Sequence, residues 1–83
     1  MNIIIQPRAK KDLKKFPPEI ISNILKKLYA IKDYPLRYIE RLKGSHLCKL
    51  RIGDYRVILF LNTKENKMHV LKIGHRKDIY KRL

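Results

Sequence analysis

The stretch KLRIGDYRVIL, residues 49–59, decides the fold. Two runs of alternating polarity flank Gly53-Asp54, and a two-residue loop with glycine first is the turn that a tight β-hairpin prefers. That turn fixes the register. Ile52 faces Tyr55, Arg51 faces Arg56 and Leu50 faces Val57, because pairing runs outward from the loop. Alternation assigns Cys48, Leu50, Ile52, Tyr55, Val57, Leu59 and Leu61 to one face, a natural bed for helices, and Leu47, Lys49, Arg51, Arg56, Ile58 and Phe60 to the other. On that second face two arginines oppose each other at a cost of a few tenths up to about 1 kcal/mol, with Lys49 on the same side. Such repulsion is tolerated where an anion resolves it. Ile58 and Phe60 read as an exposed apolar strip that the tail or a partner segment must cover.

Outward from the hairpin, residues 67–73 form a third strand reached through NTKEN, and alternation puts Val70 and Lys72 on one side of it. Upstream, NIIIQ (residues 2–6) is a β-branched run ended by Pro7, and proline suits the first turn of a helix. PRAKKDLKKF (residues 7–16) sets Ala9, Leu13 and Phe16 on a thin apolar stripe, with Arg8, Lys10, Lys11, Lys14 and Lys15 over the rest of the surface. Pro17-Pro18 breaks that helix. A second begins at Pro18-Glu19 and runs to about Lys32, its Ile20, Ile21, Ile24, Leu25, Leu28 and Ile31 recurring at helical spacing. YPLRYIERLKGS (residues 34–45) reads as a connection, and GHRKDIYKRL (residues 74–83) as a turn followed by a short C-terminal helix. The expectation is a single compact α+β domain over residues 1–83, in the order β-α-α-β-β-β, with a two-helix hairpin packed on an antiparallel sheet.

Length and charge bound the function. At 83 residues there is room for one modest core, and 45% hydrophobic content is enough to build it. The 21 Lys and Arg against 7 Asp and Glu leave a net charge of +14, an excess that opposes compaction and suits a polyanionic partner. A membrane is the competing anion, but the chain has no long apolar run and no basic amphipathic helix with bulky apolar anchors. Nucleic acid is the expected partner. The first residues lack the basic leader and apolar length of a signal peptide, so a cytoplasmic location is expected. Cys48 alternates with Leu50 and Ile52 and is read as a small core residue, not a nucleophile. His46, His69 and His75 lack zinc-ligand spacing with Cys48, so no metal and no cofactor are expected.

LKGSHLCKLRIGDYRVIL (residues 42–59) and IGHRKDIY (residues 73–80) together resemble the RelE/ParE toxin superfamily of type II toxin-antitoxin systems, over essentially the whole chain. The first is similar to the family's LKG segment, basic strand, tight turn and tyrosine-arginine pair; the second is similar to its glycine-basic-arginine segment with a downstream tyrosine. The resemblance implies a fold of the microbial-ribonuclease-like class and a cognate acidic, RelB-like antitoxin that neutralises the toxin, in some members as a heterotetramer. RelE-type members enter the ribosomal A site and cleave mRNA by attack of a ribose 2′-oxygen on the adjacent phosphate. ParE-type members share the fold and poison DNA gyrase instead. A basic nucleic-acid-binding module without activity is the third alternative.

By position, the resemblance makes Lys49, Arg56, Arg76 and Tyr80 the candidate catalytic residues. Tyr80 lies closer to Arg76 than its counterpart does in well-known RelE toxins, and Leu47 stands where those toxins carry a second lysine, which removes one proton-transfer group. The chemistry needs a base for the 2′-hydroxyl, stabilisation of the charged transition state and an acid for the leaving 5′-oxygen. Arg56 and Arg76 are permanently charged forks matched to phosphate and therefore act as stabilisers. Lys49, set among cations, is a base or a phosphate clamp. His75 is of the type that exchanges protons near neutral pH, or else a loop residue that binds RNA. Tyr80 stacks on a base or acts as the acid, and stacking is the commoner use of an aromatic beside RNA. Arg51 serves an RNA phosphate or an antitoxin carboxylate, and Lys10, Lys11, Lys14 and Lys15 form a phosphate-binding surface suited to ribosomal RNA. Asp54 and Asp78 have no paired carboxylate, which disfavours two-metal chemistry.

Overall fold

The computed structural model describes residues 1–79. Its elements run β1 (Asn2–Ile5), α1 (Pro7–Leu13), α2 (Pro18–Ile31), a 3-10 turn (Pro35–Arg37), β2 (Ile39–Arg41), β3 (Cys48–Ile52), β4 (Tyr55–Asn62) and β5 (Lys67–His75). The five strands form one sheet in the order β1-β5-β4-β3-β2. The two-helix hairpin on a sheet is the architecture expected from the sequence, with two additions. β1 pairs parallel with β5, the one parallel pair in an otherwise antiparallel sheet. And part of the segment read as a connection is strand: β2 lies against β3, with Ile39 opposite Leu50 and Glu40 opposite Lys49. Three residues with a single apolar member are too short to display alternation, and only the neighbouring strand makes them β.

The helix starts follow the prolines. Pro7 and Pro18 each occupy the first turn, where a missing N–H leaves nothing unsatisfied, and Glu19 sits at the positive end of α2. Asp33 and Pro35 lie just beyond the end of α2 at Ile31. Ala9 and Leu13 of α1, and Ile24, Leu28 and Ile31 of α2, close over Leu50, Val57, Leu59, Met68, Val70 and Ile73. Each fully buried side chain of this size contributes roughly 1.5–3 kcal/mol, so this single layer supplies the main apolar drive to fold. Leu25, expected on the apolar face of α2, is 37% exposed and sits at its margin.

The β3-β4 hairpin has the register its turn dictates: Leu50 opposite Val57, Arg51 opposite Arg56, Ile52 opposite Tyr55. The β4-β5 pair is different. Ile58 faces Lys72 but Leu59 faces Val70, so Leu71 is an extra residue on β5. This bulge breaks the period of two. Val70 therefore enters the core while Lys72 returns to the outer face, which corrects their assignment to one side. Residues 76–79 fold back as a turn, with the N–H groups of Asp78 and Ile79 both donating to the carbonyl of His75 (2.8 and 3.0 Å). The remainder of the expected C-terminal helix lies outside the described residues.

Candidate active site

Gly53 has φ +58° and Asp54 does not share the positive φ, the pattern of a type II′ hairpin turn. Two arginines are tied to this turn by consecutive carbonyls. Arg56 Nη1 donates to the carbonyls of Gly53 and Tyr55, each at 2.9 Å. The backbone N–H of Arg76 donates to the carbonyl of Asp54 at 2.8 Å, and its Nε stands 3.9 Å from Asp54 Oδ1. Both Arg56 bonds come from a single nitrogen, so a guanidinium with five N–H donors keeps donors for a ligand. The carbonyl dipoles also offset part of the repulsion from Arg51 across the ladder.

One step further from the turn, Glu40, Lys49, Ile58 and Lys72 form a row across β2, β3, β4 and β5. Lys49 Nζ lies 3.5 Å from Glu40 Oε2, and Lys72 Nζ donates to the carbonyl of Ile79 at 3.2 Å. Register thus sets Lys49, Arg51, Arg56 and Lys72 on one face, with Arg76 at its turn end. Lys72 was not legible as part of this group, because the bulge that directs it there leaves no mark in the sequence.

Ile58 is not an exposed strip; it is buried to 1%. Next to it on the sheet, residues 76–79 fold back toward β5. Gly74, opposite Arg56, presents no side chain to the outer face, and Ile79 Cδ1 comes within 3.1 Å of where a Cβ on Gly74 would stand. Ile79 is itself 1% exposed. Ile58 and Ile79 are thus buried apolar residues outside the main core cluster. Phe60 does remain partly exposed, with its ring 6.1 Å from that of His69.

The other candidates lie elsewhere. His75 turns to the inner side, edge-on to Tyr55 at 5.6 Å, and Tyr55 is in turn edge-on to Phe16 at 5.0 Å. Its Nδ1 accepts the backbone N–H of Lys77 at 3.2 Å, so the neutral ring carries its proton on Nε2 and offers a donor. Lys10, Lys11, Lys14 and Lys15 are exposed on and just after α1, in the helical layer on the opposite side of the sheet from Arg56. Tyr80 lies outside the described residues. Cys48 packs against the core, and burial pushes its thiol up against the opposing pull of Arg41. Among the described residues, no three His, Cys, Asp or Glu side chains gather to hold a metal ion.

Asp12 went unnoticed in the sequence and is the one buried acidic residue among those described. Its Oδ2 accepts the backbone N–H of Ile73 at 2.9 Å, and its Oδ1 lies 3.2 Å from Arg8 Nε. It fastens α1 to β5 where β5 runs past the end of β1. The only sequence signal was an acid beside Leu13 in a helix otherwise crowded with lysine.

A family model described as the ParE toxin of type II toxin-antitoxin system, parDE, matches residues 3–80. The chain is 32% identical to the putative toxin RelE1 of Methanocaldococcus jannaschii, over 96% of this chain and 94% of that protein. Its fold superposes on the toxin-antitoxin complex RelBE2 of Mycobacterium tuberculosis with a TM-score of 0.82 at 23% identity, covering 90% of this chain and 96% of that one. The archaeal RelE-RelB complex of Pyrococcus horikoshii gives 0.79 at 25% identity, covering 93% and 96%.

Proposed function

Because the chain belongs to the ParE toxin family of type II toxin-antitoxin systems, which here includes a relative named as a RelE toxin, we propose that it is a ribosome-dependent endoribonuclease that cuts mRNA in the A site. The observation that carries this reading is the pair of arginines tied to consecutive carbonyls of the Gly53-Asp54 turn. With Arg51, Lys49 and Lys72 sharing the face, the site favours a phosphate. Like charges gathered on one sheet face repel one another, and a bound phosphate would relieve that cost.

In the proposed reaction the ribose 2′-hydroxyl gives up its proton as its oxygen attacks the adjacent phosphorus, the bond from phosphorus to the 5′-oxygen breaks as that oxygen takes up a proton, and the products are a 2′,3′-cyclic phosphate and a 5′-hydroxyl. Arg56 and Arg76 bind the non-bridging oxygens and stabilise the added charge. A preorganised donor at such a point is worth on the order of 3 kcal/mol. Lys49 contacts the scissile nucleotide, and Glu40 holds its ammonium until phosphate displaces the carboxylate. Tyr80 stacks on the exposed base. The lysines of α1 address ribosomal RNA on the other side of the molecule. His75, on the inner side, takes no part in proton transfer at the turn.

Solved neighbours of this chain are toxin-antitoxin complexes, which supports a cognate antitoxin as its partner. An acidic chain would neutralise the charge, and Tyr34, Leu36 and Tyr38 offer it exposed apolar area at the end of the sheet away from the turn. A ribosome-directed toxin works in the cytoplasm, and no described helix is long and apolar enough to cross a membrane.

The ParE name of the matching family favours a second reading, inhibition of DNA gyrase by the same fold without chemistry. Expression of the wild-type chain separates the two. Codon-internal mRNA cuts seen by primer extension support the nuclease; broken DNA with translation initially intact supports gyrase.

A further inference from the structure

Beyond the end of β1, one edge of β5 has no strand beside it among the described residues. β1 pairs only with Lys67 to Val70, so residues 71–75 border a gap between α1 and the 76–79 turn. Asp12 spans part of that gap by accepting the Ile73 N–H. What is left is an open cavity of about 410 Å³, in the range of sites that hold a nucleotide-sized ligand. Its walls are not those of a packing defect. Phe16, Tyr55 and His75 form a chain of edge-on rings in its lining, and its charged residues are Arg8, Lys15, Lys72, Asp78 and Asp12, the last only 8% exposed.

We propose that this cavity is a nucleobase subsite, which receives the base next to the phosphate held at the Gly53-Asp54 turn, with guanine preferred. The proposal rests on the RNA reading above and extends it to a part of the chain that the reading did not use. Connectivity links the two places: Tyr55 follows Asp54, His75 precedes Arg76, and Tyr55 and His75 are partners across β4 and β5. The rings are on the inner side of that sheet end and the arginines on the outer, so a strand crossing the end leaves a phosphate outside and the adjoining base inside. Aromatic side chains are the usual grip on an unstacked base.

Guanine fits the polar groups best. Each oxygen of Asp12 gives one lone pair to an internal partner, Ile73 N–H or Arg8 Nε, and retains another. A carboxylate with acceptor capacity on both oxygens suits the adjacent N1–H and N2–H donors that guanine alone presents side by side. Arg8 and Lys15 suit its O6 and N7 acceptors. Adenine offers a single donor group on that edge, and uracil one N–H between two carbonyls that the carboxylate repels.

The test is a titration of the full chain with guanosine, adenosine, cytidine and uridine 5′-monophosphates and with inorganic phosphate, followed by NMR of the aromatic rings and the arginine Nε–H groups. GMP is expected to move the ring signals of Phe16, Tyr55 and His75 and to bind about tenfold tighter than AMP or UMP, while inorganic phosphate moves the arginine signals alone. Asp12→Asn, which keeps an oxygen for Ile73 N–H, is expected to abolish the preference for guanine. If that variant fails to fold, Lys15→Ala is exposed and must still weaken GMP several-fold. Equal shifts from all four nucleotides, or ring signals that stay still under GMP, overturn the subsite. Neither of those results touches the role of Arg56, because loss of RNA cutting in Arg56→Ala is read separately.

Discussion

At the Gly53-Asp54 end of the sheet, Arg51, Arg56 and Arg76 crowd one turn, where the Arg56 guanidinium rests on backbone carbonyls and that of Arg76 lies near the Asp54 carboxylate. At the far end, Tyr34, Leu36 and Tyr38 stand 66%, 80% and 49% exposed, and there the cations lie over rings: Lys27 Nζ is 4.7 Å from the Tyr38 centroid and the Arg37 guanidinium 5.3 Å from that of Tyr34. The same residue types meet opposite fates. Cations on rings are partly satisfied inside the molecule, whereas Arg51 and Arg56 stand opposite each other across the ladder and repel. The far end has the complementary deficit, apolar area without cover, which suits a protein. Under the function proposed above, the turn end would take the phosphate and the far end the partner chain.

Substitutions can break that division. The largest effect is expected at Arg56. Arg56→Ala removes a preorganised donor and should slow RNA cleavage about a hundredfold or more, with a melting temperature close to that of the wild type; a cleavage assay beside a thermal melt checks both. Gly53→Ala comes next, because φ +58° is left-handed while nothing stands within 4 Å to collide with a methyl. The cost is backbone strain, about 1–2 kcal/mol of stability by denaturant titration, together with lost activity as both arginines lose their anchor. Glu40→Gln removes the exposed carboxylate charge beside Lys49 and should tighten RNA binding by a factor of about two to five, in line with a surface pair worth roughly 0.2–1 kcal/mol. Leu36→Lys, at the far end, should shift stability by no more than about 0.5 kcal/mol and leave cleavage untouched. A tenfold loss of cleavage in that variant would erase the distinction between the ends. Cys48 provides the smallest signal: since burial pushes its thiol up, alkylation should be slow at neutral pH and quicken only above the ordinary thiol range.

The hairpin register, the two faces of β3 and β4 and both helices were legible because each follows from a local rule: a glycine-first turn, alternation, or helical spacing started by a proline. What escaped depends on neighbours. β2 is strand only because β3 lies beside it, and the parallel pairing of β1 joins residues distant in sequence. The extra residue Leu71 is invisible in a run that alternates acceptably in either register, yet it decides that Lys72 joins the cationic face and Val70 the core. Ile58 was misjudged because alternation assigns a residue to a face of the sheet and says nothing of how far that face is covered. Asp12 hid among lysines; its importance appears only when β5 outruns β1 and leaves an N–H to satisfy. Of the candidate site, the arginines could be named from the motif, but the carbonyls that aim Arg56 and the carboxylate that holds Lys49 could not.

The claim at the centre is that cations gathered on one turn grip an RNA phosphate at the point of cleavage. Primer extension across a message in a purified translation system, run with the wild-type chain and with Arg56→Ala, tests it most directly. Cuts inside A-site codons with the wild type, lost with the variant while its melting temperature is unchanged, are the predicted result. Cuts of equal strength with both chains, or intact message with the wild type, would contradict it.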